Sequence, residues 1–182
     1  SFEPNAELLP MLRLTIERLS NVELHSFALS DRTGSVDLFV PEDPTMASLA
    51  DWTDGVVGEV HHVSCKMERL DDLVEGGQLP VPQFIKCDVE GAEISVFSGA
   101  LKTLDREDAP ILMFELNAKA AKAFGKTTTD YFELLGSLSS AAYSFYDILK
   151  DRVSKLEVTD LEYTNILAIP AARSDAVEGL LG

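Results

Sequence analysis

Cysteine is scarce. Cys65 and Cys87 are the two present among 182 residues, too few for a disulfide framework. Cys87 sits in an apolar stretch and reads as a small core residue. With nothing pointing to an oxidising compartment, a cytoplasmic protein is the expectation. Histidine is scarce too, with only His25, His61 and His62. Neighbours on a strand point to opposite faces, so His61 and His62 do not share a metal, and no zinc site is expected. No apolar run approaches the ~18 residues of a membrane span. The opening SFEPN has neither the basic start nor the apolar core of a signal peptide. Positive charge is the last shortage: 15 Lys and Arg stand against 31 Asp and Glu, a net charge of −16. Such a surface repels phosphate backbones and sets nucleic-acid substrates aside.

The remainder is ordinary globular material, 46% hydrophobic and 25% charged. The length suits a single domain, residues 1–182, with a sizeable core. Asn5 can cap a helix whose apolar stripe is Leu8, Leu12, Ile16 and Leu19. Pro10 removes an amide from its second turn, which predicts a late start or a kink. VELHSFAL (residues 22–29) reads as a strand, SDRTG as a turn and SVDLFV as the returning strand. The segment from Pro41 to Gly58 holds prolines, glycines, acids and Trp52, and reads as a long loop or lid. EVHHVSCKM is a further strand, and RLDDLVEGG a short helix ended by glycine.

FIKCDV predicts a strand and AEISVFSGALKTL a helix with Ile94, Phe97, Leu101 and Leu104 on its apolar face. PILMFEL is a continuous apolar run, as in a fully buried parallel strand. TTTDYFELLGSL reads as a helix capped near Thr129 or Asp130. YSFYDIL and NILAIP read as two last strands that can pair antiparallel. Strands alternating with helices predict an α/β fold with a mainly parallel sheet.

In such sheets ligands bind beyond the carboxyl ends of the strands. Glu3 follows a strand-like SF, Asp88 to Glu93 follow FIKC, and Glu115 closes ILMF. Three strand ends thus present acids at one edge. Glu90 and Glu93 also suit the first turn of the following helix, where a carboxylate complements the helix dipole by about 0.3–1 kcal/mol. Acids clustered in a cleft can raise one another's pKa, which suits a general base. They can equally ligate a hard divalent cation.

Taken in order, FEPN, FALSDRTGSVDL, ERLDDLV, IKCDVEGAEISVFSGA, PILMFE and NILAIP resemble the FkbM family of S-adenosylmethionine-dependent methyltransferases over nearly the whole chain. The resemblance implies a Rossmann-like class I methyltransferase sheet of seven strands, mainly parallel with a C-terminal antiparallel strand. It implies that Glu3 and the adjoining Pro4 hold the cofactor ribose, and that Ala28 and Leu29 lie near the adenine. Asp88 and Glu90 then sit at methyl transfer, Asp88 also beside the cofactor, and Glu93 and Glu115 line the acceptor side. The implied acceptor is a hydroxyl of a small molecule or sugar. The family's first strand, its helix and its glycine-rich loop have no counterpart here. An N-terminally incomplete domain lacking that first strand is therefore the expectation.

Two other readings use the same residues. One is a methyltransferase-like remnant that binds a ligand or partner without turnover. The other is a hydrolase that uses paired carboxylates and a metal ion.

Overall fold

The computed structural model describes residues 1–50, 59–149, 152–156 and 161–177. Its elements alternate between strand and helix through the middle of the chain. After helix α1 (Leu9–Ile16) come strands β1 (Ala28–Leu29), β2 (Gly34–Val40) and β3 (His61–Glu68) and helix α2 (Leu70–Glu75). Strand β4 (Phe84–Cys87) leads to helices α3 (Glu93–Ser98) and α4 (Leu101–Leu104). Strand β5 (Ile111–Asn117) is followed by helices α5 (Ala118–Ala123) and α6 (Thr128–Gly136). Strands β6 (Ser144–Ile148), β7 (Val153–Lys155) and β8 (Tyr163–Ile169) close the fold. None of the described helices is long and apolar enough to cross a membrane.

The strands form two sheets, one ordered β1-β3-β2 and the other β4-β5-β8-β6-β7. The pairing is mixed, where the sequence pattern predicted a mainly parallel sheet. Among the described residues, β1–β3 and β4–β5 are parallel. The pairs β2–β3, β5–β8, β6–β7 and β6–β8 are antiparallel. The cause is local. The strand after the SDRTG turn pairs back along β3, β6 and β7 form a hairpin whose short connection allows only antiparallel neighbours, and β8 then lies between β5 and β6, antiparallel to both. The expected antiparallel pair near the C-terminus is present as β6–β8. Strand β7, which the sequence pattern did not anticipate, adds to its outer side.

The main core lies on one face of the larger sheet. Leu112, Phe114 and Leu116 of β5 are fully buried, while Ile111, Met113 and Glu115 alternate onto a half-covered face. PILMFEL is thus a strand with one dry face, not one buried on both. Phe114 packs edge-on to Phe97 at 5.3 Å and stacks on Tyr131 at 5.8 Å. Each such buried side chain contributes about 1.5–3 kcal/mol.

The helix expected across AEISVFSGALKTL is broken into α3 and α4. Gly99 is the reason: a Cβ there would lie 1.9 Å from the Ser30 carbonyl oxygen. The chain passes so closely because Gly99 O accepts from the Asp71 amide at 3.0 Å. Asp71, itself buried, accepts from Thr103 N and Oγ1 at 2.8 Å each. These bonds tie α2 to α4.

Helix α1 starts late, at Leu9, as Pro10 requires. It buries none of its residues, and Met11 and Leu14 are largely exposed. Leu19 lies beyond the helix and is exposed, so the expected stripe reduces to Leu8 and Leu12, which face a groove described below. The VELHSFAL strand is shorter than expected. It survives as β1 and a parallel bridge between His25 and Phe2. Phe84, in the apolar FIKC stretch, is 52% exposed, because β4 pairs only with β5 among the described residues. Trp52 and the second half of the Pro41–Gly58 loop lie outside the described residues.

Candidate active site

A groove of about 930 Å3 lies between the two sheets. Glu3, Pro4, Ala28, Leu29, Asp88 and Glu90 all line it. These are the residues expected to meet a cofactor or the reacting group, and three separate chain segments bring them together. Glu93 and Glu115 are not among the lining residues. Glu115 stands half-covered on β5 and accepts from Tyr163 Oη at 2.8 Å.

Each strand end is held by its own local bonds. After the Phe2–His25 bridge the chain turns, and Glu3 Oε1 accepts the Asn5 amide at 2.7 Å. Asn5 Oδ1 accepts the Glu7 amide at 3.0 Å, so Asn5 caps a turn ahead of α1. The Asn5 side-chain nitrogen is buried and lacks a partner among the described residues. One carboxylate oxygen of Glu3 is thereby fixed, and the side chain stays at the groove wall.

The segment after β4 is the most constrained. Glu90 has φ 52°, the left-handed region, which costs an L-residue about 1–2 kcal/mol. Gly91 follows with φ 95°, and a Cβ there would lie 2.7 Å from the Ala120 backbone carbon. Glycine is needed at 91 on both counts. Glu93 holds this turn from beneath. Its Oε1 accepts from Val89 N at 3.0 Å and Gly91 N at 3.4 Å, and its Oε2 accepts from Tyr131 Oη at 3.0 Å. Glu93 is 1% exposed, with both oxygens engaged inside the protein. Burial pushes its carboxyl upward, and these three donors oppose the shift.

Two carboxylates of this segment face the groove, and they differ. Asp88 is exposed and ion-paired with Lys86 Nζ at 2.8 Å. Residues i and i+2 on a strand share a side, so the spacing of Lys86 and Asp88 is the signal that could have revealed this pair. The hydrogen bond to Asp88 in turn raises the Lys86 ammonium above its ordinary value, chiefly over the cost of desolvation. Glu90 has no such cation among the described residues. Burial first, then the charges of Glu115, Asp88 and Glu93, push its carboxyl up to about 7. A carboxylate poised near neutrality can accept a proton from an acceptor group and release it again. Tyr131, buried against Glu93, has its hydroxyl held well above the usual phenol range. It is a donor to the turn, and nothing in TTTDYFELL announced that role.

The groove residues fit an adenosyl cofactor bearing a sulfonium. Glu3 and Asp88 offer carboxylate oxygens for hydroxyls and positive charge, and Ala28 and Leu29 offer apolar wall for a flat ring. The volume lies at the upper end for small-molecule sites. Among the described residues no cluster of ligating side chains is arranged for a metal ion.

Comparison with known proteins follows the same lines. The family model described as the methyltransferase FkbM domain matches residues 1–145. No curated protein matches the chain. A crystal structure of methyltransferase FkbM from Methylobacillus flagellatus KT aligns with a TM-score of 0.52 and 19% identity. The alignment covers 92% of this chain and 35% of that one, so this chain spans about a third of its neighbour's length. At this identity the likeness shows a common α/β fold.

Proposed function

Because the chain belongs to the methyltransferase FkbM family, we propose that it serves S-adenosylmethionine-dependent methyl transfer to a hydroxyl of a small molecule or sugar. The observation that carries this reading is the convergence of Glu3, Pro4, Ala28, Leu29, Asp88 and Glu90 on one groove. When bound, S-adenosylmethionine supplies a methyl group already activated on a sulfonium.

The chain's own residues then have three tasks. Glu3 and Pro4, just past the Phe2–His25 bridge, hold the ribose, while Ala28 and Leu29 cover the adenine. Asp88, kept in place by Lys86, lends negative charge beside the sulfonium. Glu90 is the general base: its carboxyl takes the hydroxyl proton of the acceptor. A base near neutrality is the right strength, since it is free to accept a proton at pH 7–8. Glu115 stands on the acceptor side with Tyr163. Glu93 serves that side indirectly, by fixing the turn that carries Glu90. Holding acceptor oxygen, methyl carbon and sulfur in line is the larger part of the rate enhancement for such a displacement.

Transfer of labelled methyl from S-adenosylmethionine to a panel of polyols, sugars and phenols tests the proposal. Glu90→Gln is expected to lose about 10²–10⁴-fold in kcat with cofactor binding retained. Turnover equal to wild type in both Glu90→Gln and Asp88→Asn removes the base assignment. Turnover that requires a divalent ion and disappears with a chelator supports the metal-dependent alternative instead.

A further inference from the structure

We propose that Ser48 is a positioning residue for Glu90: its buried hydroxyl reaches from the smaller sheet to the backbone of the turn that carries the base. Ser48 is 2% exposed and follows β2. Its backbone is pinned by a two-way bridge to Phe39, with Phe39 N to Ser48 O at 2.8 Å and Ser48 N to Phe39 O at 3.1 Å. From that fixed point Ser48 Oγ donates to the Glu90 carbonyl oxygen at 2.8 Å. The two residues are 42 positions apart in sequence.

The bond matters because of where it lands. The amides on either side of Glu90, those of Val89 and Gly91, are taken by Glu93. The Glu90 carbonyl is the remaining polar backbone group of the 90–91 peptide, and Ser48 takes it. Glu90 occupies a backbone region that side-chain-bearing residues avoid, and Gly91 next to it has the freedom to let the peptide rotate. Ser48 therefore opposes rotation of that peptide. Rotation would let Glu90 leave the left-handed region and swing its carboxyl towards water. Among the described residues, the charged groups that face Glu90 are Asp88 on its own turn, Glu93 on α3 and Glu115 on β5, with Lys86 engaged by Asp88 and the titratable Tyr163 hydroxyl coming from β8. Keeping the half-buried carboxyl among these acids keeps it proton-hungry.

Ala47, Ser48 and Leu49 line the groove as well. A ligand seated against this segment thus shares a strut with the base. This last point rests on the transferase reading, but the geometry of the strut does not.

The test is a carbon-detected NMR titration of the Glu90 carboxyl in the 182-residue chain, without cofactor or acceptor. Wild type is expected to titrate at about 7. Ser48→Ala is expected to bring the midpoint down by about one pH unit, as the carboxyl gains solvent. Ser48→Thr keeps the hydroxyl and is expected to keep the wild-type midpoint. Ser48→Cys keeps the side-chain volume with a weak donor and is expected to fall between them. Should the alanine variant fail to fold, the cysteine variant carries the comparison. Removing the exposed Ser137 hydroxyl, which bonds within its own helix end, should leave the Glu90 midpoint alone. A midpoint that stays at the wild-type value in Ser48→Ala and Ser48→Cys overturns the proposal, as does an equal fall in Ser48→Thr. Because no cofactor is present, failure here is distinct from failure of the transferase reading, which shows as loss of cofactor binding.

Discussion

Replacing Glu90 with glutamine should stabilise the protein above neutral pH while abolishing its function. Glutamine resembles the protonated carboxyl in size and has the same backbone limits, so the strained turn is common to both proteins. The difference is ionisation. Below pH 4.5 the carboxyl is neutral in folded and unfolded chains alike. Between 4.5 and about 7 the unfolded chain gives up this proton while the folded one keeps it, so stability falls as pH rises. Above about 7 the whole loss is in place. At ~1.4 kcal/mol per pH unit the displacement corresponds to about 3 kcal/mol. Glu90 is half-exposed, so solvent screening reduces this to about 1.5 kcal/mol. Urea denaturation of both proteins at pH 5 and pH 8.5 measures it. Glu90→Gln should be more stable by about 1.5 kcal/mol at pH 8.5 and within about 0.5 kcal/mol of wild type at pH 5. A difference of the same size at both pH values, or a less stable variant at pH 8.5, refutes the reasoning.

Three further outcomes follow from the same geometry. Gly91→Ala combines positive φ with a contact at 2.7 Å on the Ala120 backbone, and should lower stability by about 2 kcal/mol or more in thermal unfolding. Tyr131→Phe removes a buried donor from Glu93 Oε2, and should cost about 1–3 kcal/mol while moving the Glu93 carboxyl further up. Glu3→Gln should weaken binding of S-adenosylhomocysteine about tenfold, or ~1.4 kcal/mol, with an unchanged thermal midpoint. Equal affinity there would take the ribose away from Glu3.

The sequence was most legible where local chemistry decides structure. TTTDYFELL became a capped helix, with its cap at Thr127 rather than at Thr129 or Asp130, because Thr127 and Asp130 form a reciprocal capping box. FIKC and ILMF became neighbouring parallel strands because the helix between them returns the chain to the same edge. The acids at their carboxyl ends were legible for the same reason, and Asp88 and Glu90 do reach the groove. What stayed hidden depends on distant partners. Gly99 reads as an ordinary residue until Ser30 is seen against it. Glu93 reads like its neighbours Asp88 and Glu90, and only Tyr131, 38 positions later, shows that it faces inward. Phe84 belongs to an apolar strand yet is exposed. Its exposure follows from the strand having a partner on one side among the described residues. Ser48 had no local signal at all, since its hydroxyl bonds to a carbonyl 42 positions away.

The most direct measurement is a calorimetric titration of the 182-residue chain with S-adenosylhomocysteine, in parallel for wild type and Glu3→Gln. Saturable one-to-one binding that weakens in the variant is the expected result, and places the cofactor in the groove that Glu3, Ala28, Leu29 and Asp88 share. Absence of any heat of binding from a folded wild-type chain, or binding indifferent to Glu3, contradicts it.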